Sequence, residues 1–273
     1  MSDPILDPDH REDEGEAFRR LTAIMARLRA PDGCPWDREQ DLASLRPFLL
    51  EETYEVLEAI DAADAAAHQE ELGDLLLQVV FQSQIRSEEG SFTAAAVVHG
   101  ICDKLVRRHP HVFGDASASS AADVVDRWEA IKAREKTERR SALDGVPRAM
   151  PALARAQRVQ EKAARQGFDW PDGEGALEKL REEIDELQEA VARGQSEARR
   201  AAELGDVLFS AVNVARHAGL SAEDVLRAAV ERFEQRFRGI EARAGAAGVR
   251  LEHAGSDRLD RWWEEVKRES SES

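Results

Sequence analysis

At 273 residues the chain is long enough for two domains of ordinary size. Its 55 acidic residues against 38 basic ones give a formal charge of −17, which repels polyanions and argues against nucleic acid or an anionic membrane surface as a partner. No apolar run approaches the ~20 residues that span a bilayer, the N-terminus is acidic with no apolar signal core, and Cys34 and Cys102 form no CxxC motif. A reduced, cytoplasmic protein with no membrane partner is expected.

Ala, Leu, Glu and Arg dominate, while hairpin signals and β-branched alternation are sparse, so the fold class predicted is all-α. Residues 1–16, rich in Asp, Glu and Pro, are expected to be a disordered acidic tail. A helix at 18–29 carries Phe18, Leu21, Ile24, Met25 and Leu28 on one face and stops at Pro31-Asp32-Gly33, before a loop holding Cys34-Pro35-Trp36-Asp37. Ser44 and Pro47 introduce a helix reaching about residue 63, with Glu51, Glu52 and Glu55 among its polar positions. A helix at 67–86 closes an antiparallel pair with it, and another at 92–108 ends in the basic patch Lys104, Arg107, Arg108. Residues 116–122 read as a loop, followed by a helix with Trp128, Ile131 and Lys132. Residues 141–151, with Gly145, Pro147 and Pro151, read as a linker between domains at 17–140 and 152–273. The second half then repeats the first: a helix at 152–166, a loop with Trp170, helices at 175–193, 197–218 and 221–246, and a short last helix with Trp262, Trp263 and Lys267.

The most informative stretch is the helix at 67–86. Residues 72–81 are apolar enough to lie in a core, yet Glu71 and Asp74 sit three residues apart on one face of it. Two carboxylates buried together are costly unless a positive charge lies between them. Gly73, between them, costs ~1 kcal/mol in a helix interior and is tolerated where a backbone or ligand comes close. The device returns as Glu203-Leu204-Gly205-Asp206, and the Glu-Glu-x-x-Glu element at Glu51, Glu52 and Glu55 returns as Glu182, Glu183 and Glu186. Glu51 to Glu182 is an offset of 131 and Asp74 to Asp206 one of 132, so the halves align with a one-residue slip. Such a duplication is too long for a solenoid unit and means two homologous domains.

If each helix pair packs antiparallel, Glu52, Glu55, Glu71 and Asp74 face one another, as do Glu183, Glu186, Glu203 and Asp206. Oxygen donors with no His or Cys among them suit Mg²⁺, with Mn²⁺ as substitute. A di-iron site of the ferritin type would want Glu-x-x-His, and Asp74 and Asp206 stand where that His belongs. Glu51 and Glu52 alone would be an ordinary solvated face; it is the duplicated Glu-x-x-Asp in apolar surroundings that points to metal. No GxxxxGK[ST] or GxGxxG loop occurs, and no Ser or Cys nucleophile has a base beside it. Metal-assisted attack of water on a phosphoanhydride is the chemistry left.

On these residues, together with Lys104-Leu105-Val106-Arg107-Arg108-His109-Pro110, Leu143-Asp144-Gly145-Val146-Pro147, Gly167-Phe168-Asp169-Trp170 and Val212-Asn213-Val214-Ala215-Arg216-His217, the chain resembles the MazG family of nucleoside triphosphate pyrophosphohydrolases. The resemblance implies a four-helix core commonly completed by dimerisation, so a homodimer, and Mg²⁺-dependent hydrolysis of NTPs between the α and β phosphates. It implies that Glu183, Glu186, Glu203 and Asp206 are metal ligands in the C-terminal half, with Glu182 supporting them or orienting water. Lys179, Arg232, Arg236, Trp263 and Lys267 match nucleotide-contacting positions, the Trp either near the base or as a plain core aromatic. In the N-terminal half the acids Glu52, Glu55, Glu71 and Asp74 are kept, with Glu51, Arg107, Arg108, Trp128 and Lys132 as the surrounding set; catalysis, regulation and dimerisation are all open for it. Ala202 replaces a common extra Glu, Arg232 replaces a Lys, and Asp41-Leu42 replaces Thr-His. The alternatives are a narrow-specificity dUTP or phosphoribosyl-ATP pyrophosphatase and, outside enzymes, an acidic helical scaffold that senses a nucleotide.

Overall fold

The computed structural model describes residues 13–114, 120 and 141–269, and all regular structure in them is helical. Two compact units, 1–135 and 136–273, divide the chain. The first contains α1 (Glu14–Leu28), α2 (Pro35–Glu39), α3 (Arg46–Asp61), α4 (Ala65–Glu88), α5 (Ala94–Arg108) and the short α6 (Pro110–Phe113). The second contains α7 (Ala152–Ala164), α8 (Gly173–Ala192), α9 (Glu197–His217), α10 (Ala222–Ala246) and α11 (Ser256–Glu269). None of these helices is long and apolar enough to cross a membrane. Both cysteines are free.

Most helices begin at a side-chain cap. Asp13, Asp64, Thr93, Asp172, Ser196 and Ser221 each accept a hydrogen bond from a first-turn N–H, satisfying donors that the helix itself leaves open. Asp13 corrects one expectation: residues 14–16 are not part of an acidic tail, because its carboxylate accepts from Gly15 at 2.8 Å and Glu16 at 3.1 Å and starts α1 there. The Cys34-Pro35-Trp36-Asp37 loop likewise contains a turn of helix, with Pro35 at its first position, where a missing N–H is harmless. Gly33 is required just before it: a Cβ there would lie 2.1 Å from the Leu28 carbonyl oxygen.

In unit 1, α3 and α4 form an antiparallel pair, with α1 and α5 against α4. Met25, Leu45, Val80, Phe81 and Ile85 are its buried core. In unit 2, α8 and α9 are the corresponding pair, α7 packs on α9 and α10, and α10 packs on α11; Gly239 lets the last two approach, since a Cβ would meet Val266 at 2.9 Å. The 141–150 segment rests on unit 2, where Lys162 donates to the carbonyls of Ala142 and Asp144 at 3.1 and 3.0 Å.

The one-residue slip between the halves lies in the turn of each pair. α3 and α4 are joined by residues 62–64, α8 and α9 by residues 193–196. Ala63 holds φ +51° where the second turn has Gly194 at φ +60°. A side chain in this left-handed region costs about 1 kcal/mol relative to glycine. Ala63→Gly is therefore expected to raise the stability of unit 1 by up to about 1 kcal/mol, less the added entropy of the unfolded glycine, as read by calorimetric unfolding.

Residues 72–81 are apolar enough for a core, but only part of the stretch is enclosed. Gln78, Val80 and Phe81 are buried, but Leu72, Leu76 and Val79 are more than 40% exposed, as are Leu204, Leu208 and Phe209 on α9. A Cβ built on Gly73 or Gly205 meets nothing within 4 Å. Each unit thus presents an apolar helix face with glycine at its level, and the approach that Gly73 would permit is not made within its own unit.

Candidate metal centres

The register of each antiparallel pair brings the duplicated acids together. In unit 1, Glu52, Glu55 and Glu71 each place a carboxylate oxygen within 4.8 Å of the others; in unit 2, Glu183, Glu203 and Asp206 do the same. The repeat equates Glu183 with Glu52, Glu203 with Glu71 and Asp206 with Asp74. Each of the four positions foreseen from the sequence therefore belongs to a three-acid group in at least one half. Asp74 raises the pKa of Glu52 through its charge, so it faces the group in unit 1. Glu186 is half-buried one turn beyond Glu183 on α8, outside the unit 2 trio.

Burial makes these acids unusual. Glu183 is 6% exposed and Glu203 2%. Both carry a cation one turn away: Lys179 Nζ lies 2.8 Å from Glu183 and 2.9 Å from Glu182, and Arg199 pairs with Glu203. The two acids hold the Lys179 pKa well above its usual value. Arg199 is the residue that reading the sequence passed over, although its i, i+4 spacing to Glu203 could have shown it. Glu182 itself is exposed.

In unit 1 the acids are less enclosed, Glu52 and Glu71 being half-buried and Glu55 exposed. Glu52 is pushed up by burial first, then by the charges of Asp74 and Glu55, with a hydrogen bond from Gln78 (3.4 Å) opposing. Glu71 is pushed up by burial and by Glu55, Glu70, Asp74 and Glu58. Raised folded values mean that ionising these groups costs the native state, fully above the folded pKa and not at all below the unfolded one. A divalent cation relieves that cost only when the groups are ionised. Mg²⁺ or Mn²⁺ is thus expected to raise the melting temperature of unit 1 more at pH 7.5 than at pH 5, with the difference lost in Glu71→Gln; differential scanning calorimetry checks it.

The remaining residues fall in separate groups. Arg236 stacks on the Trp263 ring at 5.8 Å and Phe233 lies 5.5 Å from it, so Trp263 joins α10 to α11. Arg232 is exposed on α10, and Lys267 lies 4.0 Å from Glu264 on α11. Arg107 and Arg108 end α5, and Glu51 is exposed on α3. Trp128 and Lys132 lie outside the described residues. The donor sets contain only carboxylate oxygens, which fits a hard divalent cation held with water and phosphate and does not suit a site selecting soft metals.

A helical unit used twice, each time with a compact carboxylate group on its central antiparallel pair, defines the class: a tandem all-α protein with two centres able to hold divalent cations. The MazG nucleotide pyrophosphohydrolase domain matches twice, at residues 40–113 and 172–239. The chain is 47% identical over 254 residues to a nucleoside triphosphate pyrophosphohydrolase of Escherichia coli K12, covering 92% of this chain and 97% of that one. It is 44% identical over 257 residues to the nucleoside triphosphate pyrophosphohydrolase/pyrophosphatase MazG of Thermotoga maritima, covering 94% and 98%. The chain belongs to the MazG family.

Proposed function

We propose that the protein is a Mg²⁺-dependent nucleoside triphosphate pyrophosphohydrolase of the cytoplasm, with Mn²⁺ as a substitute ion, which cleaves the α–β phosphoanhydride with one water to give a nucleoside monophosphate and pyrophosphate. The observation that carries this reading is the buried acid pair Glu183 and Glu203 with Asp206 beside it, in a chain whose near full-length relatives carry that name. Glu183, Glu203 and Asp206, with Glu186 on the next turn, hold the ion; Glu52, Glu55, Glu71 and Asp74 offer a second set. Bound there, the ion would polarise the phosphate and lower the pKa of water. Glu182, exposed at the rim, orients the attacking water. Lys179 sits among the acids and neutralises the phosphate chain, with Arg232, Arg236 and Lys267 adding charge from α10 and α11. Trp263 packs beneath Arg236 and fixes its direction. The exposed apolar faces around Gly73 and Gly205 support a homodimer, since bare apolar patches of this kind mark association surfaces. Incubation of the full chain with each NTP and Mg²⁺, with products resolved by chromatography, tests the proposal: NMP and pyrophosphate are expected, and NDP with orthophosphate would overturn it.

A further inference from the structure

The apolar stretch of α4 contains one polar side chain that the proposed chemistry does not use. Gln78 is 6% exposed, and its Oε1 is buried without a hydrogen-bond partner. A buried carbonyl left unpaired is costly, and an apolar side chain of similar length would remove that cost. Leu75, Leu76 and Leu77 precede it and Val79, Val80 and Phe81 follow. A glutamine in their midst has a reason other than packing.

The other end of the amide supplies that reason. Gln78 Nε2 lies 3.4 Å from Glu52 Oε1 and donates to it across the α3–α4 pair. Glu71, Asp74 and Gln78 follow at intervals of three and four, so Gln78 extends the acid-bearing face of α4 by one turn. The bond occupies one lone pair of Glu52 and leaves the others for an ion shared with Glu55 and Glu71.

Unit 2 supports the corresponding acid differently. The 132-residue offset puts Ser210 in the place of Gln78, and the 131-residue offset puts Lys179 in the place of Phe48. Glu183 pairs with Lys179, one turn earlier on its own helix, at 2.8 Å. Phe48 instead packs edge-on against Trp36, with ring centres 5.7 Å apart. The side-chain donor is therefore an ammonium from the same helix in unit 2 and an amide from the facing helix in unit 1. An ammonium competes with an incoming cation for the carboxylate. A neutral amide does not, and can keep its bond while the same carboxylate ligates a metal.

We infer that Gln78 is a positioning residue of the unit 1 centre: its amide fixes the direction of Glu52, so that Glu52, Glu55 and Glu71 together hold a divalent cation. The inference rests on the proposed metal binding of that acid set, and adds to it an uncharged residue from outside the set.

Mn²⁺ binding is read from the electron paramagnetic resonance of the free ion. The full chain carries Glu183→Gln, Glu203→Gln and Asp206→Asn, so that unit 1 alone is measured. Gln78→Met, similar in shape, is expected to weaken Mn²⁺ about tenfold without lowering the metal-free melting temperature of unit 1. Gln78→Asn keeps an amide but draws it back by one methylene; it is expected to weaken Mn²⁺ to a similar degree, and serves if the first variant does not fold. With Glu52 already changed to Gln, Gln78→Met is expected to alter Mn²⁺ binding less than about twofold, because an effect exerted through Glu52 disappears with its carboxylate. Equal losses with and without the Glu52 carboxylate would make Gln78 a packing residue and overturn the inference. Tight binding by the parent chain, matched within about twofold by both Gln78 variants, would also overturn it and leave the unit 1 metal site standing. A parent chain that binds no Mn²⁺ would sink that site and the inference together.

Discussion

Glu203→Gln is expected to lower NTP cleavage in unit 2 about a thousandfold, a loss of ~4 kcal/mol in transition-state stabilisation. The side chain is almost wholly enclosed on α9, and its carboxylate oxygen lies within 4.8 Å of ligand atoms of Glu183 and Asp206. Gln keeps the shape and removes the charge, so the proposed ligand set loses one of its carboxylates. Arg199, released from its pair, is 58% exposed and remains hydrated, so folding should be little affected. The measurement is kcat on a chain whose unit 1 acids are already neutralised, with Mn²⁺ titrated in parallel. A fall of less than about fivefold, with Mn²⁺ still bound, would place the chemistry elsewhere. The matching Glu71→Gln in a unit 2-silent chain then reads what the first unit contributes.

The second large effect concerns stability. Arg29→Met is expected to cost unit 1 about 3 kcal/mol, because a guanidinium only 8% exposed makes several contacts at once. It donates to Glu88 at 2.7 and 2.9 Å, to the Gln40 carbonyl at 3.1 Å and to the Asp37 carbonyl, and lies 5.5 Å from the centre of the Phe81 ring. One side chain thereby fastens the loop around α2 to the end of α4. Met retains most of the stem but none of the donors. Arg29 also holds the Glu88 carboxyl below its usual value. That contribution is present above the unfolded glutamate pKa near ~4.3 and is lost as pH falls through the depressed folded value. The variant should lose this part of the acid-range slope along with its stability, as calorimetry between pH 3 and pH 7 will register in the unit 1 transition. An unchanged melting temperature would refute the assignment.

Helices were legible because their apolar periodicity is written locally, and an Asp, Ser or Thr cap lies within a few residues of the expected starts of α4, α5, α8, α9 and α10. The paired acids were legible for the same reason, since spacings of three and four fix which side chains share a helix face, and the duplication removed chance. Asp13 was misread because the acidic composition around it outweighed a single cap. The Leu72–Leu76–Val79 face was misread as core because an apolar residue looks the same in sequence whether its own unit covers it or not. Arg29 lay further out of reach. Its enclosure depends on Glu88, 59 positions away, meeting it in space, and no local pattern marks an arginine that will be enclosed.

The cations lodged beside Glu183 and Glu203 have an outcome for loading. Lys179 and Arg199 already pair with these acids, so on the proposed function a metal ion would enter by exchange and would have to expel an ammonium and a guanidinium. A bound triphosphate would give those two displaced groups a new anion to face. Metal and nucleotide would then favour each other's entry reciprocally, and the proposed centre would be guarded against stray ions by its own side chains until a substrate drew them away.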